Sequence, residues 1–126
     1  DAAFAEIHRG LKTSKVINLI EKTPQNLRSA NPGDALQMSG AVSLRQESSV
    51  QSILGAFLDP TTRVFYKNVS ATSSQFGTSG DSGSLALHKN CDVAGMIFYK
   101  TSNYALISDV GSIVSELNIS HLKWTC

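Results

Sequence analysis

The segment Gly77-Thr78-Ser79-Gly80-Asp81-Ser82-Gly83-Ser84, running straight into the apolar Leu85-Ala86-Leu87, holds the residue types of a nucleophile loop. A serine hydroxyl attacks a carbonyl effectively only when a base takes its proton and when backbone N–H groups hold the charge that forms on the carbonyl oxygen. Ser82 supplies the hydroxyl, and Gly80 lets its peptide turn inward without a Cβ clash. Asp81 is then free to turn inward and fix the loop. A solvated Ser/Gly turn has the same composition. The elements around the loop separate the two readings.

After the loop come an apolar strand at 85–88, a polar turn at Lys89-Asn90, a second apolar strand at 93–99, another polar turn, a third strand near 104–107 and a helical pattern. The core Gly80-Asp81-Ser82-Gly83-Ser84 resembles the nucleophile motif of trypsin/chymotrypsin-like serine proteases. The order that follows is similar to the C-terminal end of that family: nucleophile, hairpin, substrate-lining strand, and a final helix packed on the barrel. The resemblance implies that Ser82 attacks the scissile carbonyl of a peptide or protein substrate, with the N–H groups of Gly80 and Ser82 forming the oxyanion hole. It implies that Val93-Ala94-Gly95-Met96-Ile97-Phe98-Tyr99-Lys100 lines the primary specificity pocket, with Phe98, Tyr99 and Lys100 pairing with an extended substrate. Phe76 stands six residues before Ser82, where trypsin-like enzymes place a pocket-floor carboxylate, so an apolar primary pocket is expected rather than an Arg/Lys preference. Lys100 departs from the glycine that usually keeps the substrate strand open.

The start Asp1-Ala2-Ala3-Phe4-Ala5-Glu6-Ile7 is similar to the strand that carries the triad aspartate in this family, which makes Asp1 the expected triad acid. A solvated, frayed terminal residue is the other reading of Asp1. The general-base histidine of the family lies upstream of that aspartate in a setting like Thr-Ala-Ala-His, and the sequence shows no such segment. His8, His88 and His121 lack those surroundings; His88, six residues along a strand from Ser82, is roughly 20 Å away if the chain is extended. Each is expected to be a strand-end or surface histidine. The sequence thus looks like a protease beginning at its triad acid, the histidine being supplied by an N-terminal partner segment, as in a processed half of a two-chain protease. A non-catalytic binding or antigenic module on the same scaffold is the alternative.

At 126 residues the chain has room for one core, so a single domain over 1–126 is expected: one barrel fits and two do not. The net charge is only +1 and the charges are interspersed, which gives no basic stripe for nucleic acid and no patch for an anionic membrane. No apolar stretch reaches spanning length, and no signal-peptide pattern opens the sequence. Cys91 and Cys126 lack metal-ligand spacing with a histidine pair, so neither a metal nor a cofactor is expected. The two cysteines suit one disulfide tying the tail to the turn after the nucleophile strand; Thr78 stands where the family's usual bridge beside the nucleophile loop has a cysteine. The sequons Asn68-Val69-Ser70 and Asn118-Ile119-Ser120 permit N-glycosylation at Asn68 and Asn118. Together these features point to a soluble, secreted protein.

Short apolar runs separated by polar turns predict about eight strands, at 2–7, 15–20, 36–44, 50–58, 63–69, 85–88, 93–99 and 104–107, with 24–33 a loop, 45–49 a polar spacer and 59–62 a turn. Met38-Ser39-Gly40 resembles the small-residue bend that opens the second barrel of the family. One helix is expected over 109–118, capped by Ser108 or Asp109, its stripe of Val110, Ile113, Val114 and Leu117 facing the core. Trp124 is expected to cover a barrel edge. The fold class is therefore all-β: an antiparallel six-stranded-type β-barrel, the C-terminal half of a trypsin-like double barrel by resemblance, with a C-terminal helix.

Overall fold

A computed structural model describes residues 8–119 except 13, 15, 74 and 75. The strand expected over 2–7, Asp1, His121, Trp124 and Cys126 lie outside the described residues.

Six strands follow one another: β1 (Ala35–Gly40), β2 (Leu44–Leu58), β3 (Phe65–Thr72), β4 (Leu85–His88), β5 (Val93–Lys100) and β6 (Ala105–Asp109), then one helix, α1 (Val110–Glu116). They close into a barrel in the order β1-β2-β3-β6-β5-β4, with every neighbouring pair antiparallel. Closure leaves no sheet edge running the length of the domain.

Alternation along the strands builds the core. Ala105 and Ile107 of β6 join Leu36, Met38, Val50, Phe76, Ala86, Ala94 and Ile97 in one buried cluster, while Leu106 between them packs on the opposite face with Val69 and Ala71. Alanines at three of these inward positions, with Ala30 as a fourth, leave room for the Phe76 ring and Met38, both completely buried. At one end Ile20, Leu87, Cys91, Val93 and Val110 form a second cluster against which Val114 of α1 packs. Asp109 caps α1, its Oδ2 accepting from Ser112 N at 3.1 Å, which selects between the two capping residues expected.

Two expectations are corrected. The polar run 45–49 is not a spacer but the first third of β2, paired residue for residue with β1 from Ala35↔Ser49 to Gly40↔Leu44. Arg45, Glu47 and Ser49 are exposed, where polar residues cost a strand little, Gln46 and Ser48 are half-buried and hydrogen-bonded, and an available partner decides the matter over local polarity. The run 15–20 is not a strand: it forms turns with a single bridge, Ile17↔Lys22. The loop expected over 24–33 is pinned to β5 by Val93 N–H on Asn26 O at 2.7 Å and Arg28 N–H on Val93 O at 2.9 Å. Asp92 braces it further, accepting from Asn90 Nδ2 at 2.8 Å and Asn26 N at 3.2 Å and pairing with Arg28 Nε at 3.3 Å.

Candidate active site

The loop between β3 and β4 is shaped by its glycines and by one buried carboxylate. Gly80 and Gly83 have φ of 100° and 91°, in the left-handed region where a side chain is strained. Two successive turns, Asp81 N–H on Thr78 O and Ser84 N–H on Asp81 O, each at 3.0 Å, wrap the backbone around Asp81. Gly83 N–H then donates to Ile97 O at 2.7 Å, and Ile97 N–H to Ser84 O at 3.0 Å, which stitches the loop to β5.

The side chain of Asp81 turns inward and is 1% exposed, while Ser82 beside it is exposed. Asp81 Oδ1 accepts from Val42 N at 2.8 Å and Ser43 N at 3.1 Å, and Oδ2 accepts from Thr78 N at 2.9 Å. Burial is the largest influence and pushes the carboxyl pKa up, but the Ser43 side chain and these three amides together outweigh it and hold Asp81 below the ordinary aspartate range. Gly40 makes the space: a Cβ there would stand 2.6 Å from Asp81 Cγ and 2.6 Å from Met38 Cε. A second tie comes from Gln46 of β2, whose Oε1 accepts from Gly77 N at 2.7 Å. The turn joining β1 to β2 thereby sets the loop that carries Ser82. Among the described residues, neither Gly80 N–H nor Ser82 N–H donates to a protein acceptor.

Ser82 borders a cavity of about 390 Å³ whose walls include Phe76, Ile97, Phe98, Tyr99 and Lys100. Ser82 and the four substrate-binding candidates thus meet at one place. Phe76 has no exposed surface, so its ring belongs to the barrel core and closes the cavity from behind. A register shift between Ile97 and Tyr99 puts Phe98 and Tyr99 on the same side, where Phe98 packs on Tyr66 with ring centroids 4.7 Å apart and Tyr99 on Phe57 at 5.2 Å. β5 pairs with β6 through Lys100↔Ala105 but with β4 only as far as Met96↔Leu85. Beyond the loop's bonds to Ile97, its other edge is open among the described residues and exposes backbone groups next to Ser82.

The described histidines, His8 and His88, do not border this cavity. His8 is exposed. His88 corrects the expectation of a surface histidine: it is 2% exposed, with Nε2 2.8 Å from Arg28 O and Nδ1 3.8 Å from Asp34 Oδ2. The segment folded over β4 buries it, a long-range effect that strand-end position does not reveal. Cys91 is also buried, at 1% exposure, while Cys126, its expected partner, lies outside the described residues. Asn68 and Asn118 are both exposed, in left-handed conformations with φ of 55° and 52°. Sequence reasoning did not single out Val42, Ser43 or Gln46. Nothing local marks them, although the Met38-Ser39-Gly40 bend lies next to the turn that carries the first two.

No protein-family model matches the sequence, and comparison with curated proteins finds no match. Solved structures do match. One is a glutamic acid specific serine protease described as using a novel histidine triad in substrate binding, with a TM-score of 0.70 at 16% identity over 88% of this chain and 62% of that one. Thermobifida fusca protease A gives 0.68 at 17% identity over 82% and 56%, and Cellulomonas bogoriensis chymotrypsin 0.63 at 16% over 76% and 53%. At such identities the likeness is one of fold: the chain has the trypsin/chymotrypsin-like fold and spans 53 to 62% of the length of these three proteases. No helix among the described residues is long and apolar enough to cross a membrane.

Proposed function

We propose that this chain is the nucleophile-bearing barrel of a secreted serine endopeptidase, acting on peptide or protein substrates. Ser82 is the nucleophile, the N–H groups of Gly80 and Ser82 hold the oxyanion, Phe98 to Lys100 take up the substrate backbone, and Asp1 orients a histidine that neither His8 nor His88 provides. The observation that carries the reading is an exposed Ser82 bordering a cavity next to an open strand edge, with the Gly80 and Ser82 amides bonded to no protein acceptor among the described residues. A carboxylate tied to three amides next to the nucleophile gives the loop a fixed shape before any substrate arrives, as a transition-state site requires. The same reading includes a Cys91–Cys126 bridge and a histidine-bearing N-terminal partner segment.

The test is covalent labelling with an uncharged alkyl fluorophosphonate, followed by mass mapping. Alone, the chain labels slowly, because Ser82 keeps the weak nucleophilicity of a free hydroxyl when no imidazole is in reach. Co-expressed with the segment encoded before Asp1, it labels rapidly at Ser82. The buried, bonded position of His88 is what favours a second reading, a binding module on the protease scaffold. Failure of Ser82 to label in the co-expressed form selects that module, and rapid labelling of the chain alone shows that one of its own histidines is in place.

A further inference from the structure

We infer that the cavity beside Ser82 selects an acidic side chain at the residue whose carbonyl is attacked, with the Lys100 ammonium as its counter-ion. The inference rests on the protease reading and deepens it.

The argument is one of charge and shape. The back of the cavity is apolar, formed by the fully buried Phe76 and by Ile97, which is 3% exposed. Thr78, Ser79 and Thr101 also border it, but the Thr101 hydroxyl already serves its own turn, bonding to Asn103 N, Tyr104 N and Tyr104 O. Among the described residues Lys100 is the one lining residue with a formal charge, and none of them brings a carboxylate to the cavity. Asp81, the neighbouring acid, is turned away and saturated by three amides. Among the described residues Lys100 makes no ion pair. A cavity with a greasy base and one unneutralised cation matches a side chain with a methylene stem and a terminal carboxylate. An arginine or lysine side chain would meet like charge, and an aromatic ring would leave the cation without a partner. Lys100 stands three residues after Ile97 at the exposed, open-edged end of β5 and borders the cavity.

Blocked tetrapeptide amides ending in Glu, Gln, Phe or Lys, without a terminal carboxylate, are titrated into nitrogen-15-labelled protein and followed by amide shifts. The Glu peptide is expected to bind at least about tenfold more tightly than the Gln peptide, as a charge-assisted contact warrants, with shifts confined to 76–82 and 97–101. The preference weakens with added salt, disappears in Lys100→Met and survives in Lys100→Arg. Equal binding of Glu and Gln, preference for Phe or Lys, a Glu preference that persists in Lys100→Met, or no shift at the pocket with any peptide each overturns the inference. Labelling by the uncharged fluorophosphonate does not depend on this cation. Labelling without acid preference removes the pocket assignment and leaves the protease standing, whereas acid preference without labelling does the reverse.

Discussion

Gly40→Ala is the smallest change that should disturb the loop around Asp81 and Ser82 from a distance. The added methyl would stand 2.6 Å from both Asp81 Cγ and Met38 Cε, inside van der Waals contact, so one of them has to move. If the carboxylate swings out, it gives up the bonds from Val42 N and Ser43 N, each worth about 1.5–3 kcal/mol for a charged acceptor. If Met38, completely buried, gives way instead, the overpacked core costs about 1–3 kcal/mol. A loss of about 2–4 kcal/mol is expected, or a fall in melting temperature of roughly 8–15 °C for a domain of this size. The decisive assay is a double-mutant cycle with Asp81→Ala, read by thermal and urea unfolding. Removing the carboxylate relieves the clash, so Gly40→Ala should cost at least about 1 kcal/mol less in that background. Equal costs in the two backgrounds would refute the idea that Gly40 exists to seat Asp81.

Gly80→Val combines a φ of 100° with a Cβ only 2.6 Å from Val42 Cγ2, and should destabilise by about 1–3 kcal/mol in thermal melts. Gly55→Val, at an open position in β2, is the control and should stay within about 0.5 kcal/mol. Gln46→Ala strands the buried Gly77 N–H and should cost about 1–3 kcal/mol by urea unfolding, although Gln46 itself is only half-buried. Because Asp81 is held below the ordinary aspartate value of 3.8, its contribution to stability is present above that value and lost as pH falls through the lower folded one. Unfolding free energy should therefore be level above about pH 5 and drop below about pH 4, with a smaller drop in Asp81→Asn; an unchanged acid limb in that variant would mean the carboxylate is not held as described. In the native protein Cys91, at 1% exposure, should resist alkylation; two thiols alkylated after unfolding without reductant would remove the Cys91–Cys126 bridge.

Local signals in the sequence were enough wherever a residue's own backbone or its immediate neighbours decide the outcome. Gly-Asp-Ser-Gly identified the loop because left-handed φ at Gly80 and Gly83 is a demand of the loop itself, and the inward Asp81 with an outward Ser82 follows from the turn. The alternating apolar runs identified β1, β3, β4, β5 and β6 within a few residues, and the Asp109 cap with its stripe identified α1. Tertiary structure alone decided what spans the chain. The polar stretch 45–49 became strand because β1 offered it a full ladder of hydrogen bonds, and residues 16–20 did not because, among the described residues, they find only the single bridge Ile17↔Lys22. His88 is buried by a segment 60 residues away that supplies the Arg28 carbonyl, and Asp81 is satisfied by amides 38 and 39 residues upstream. Hydrogen bonds between positions so far apart leave no periodicity to read: the loop's residue types follow from its own geometry, whereas the amides that receive Asp81 carry no side-chain signature and come within reach only when the barrel closes.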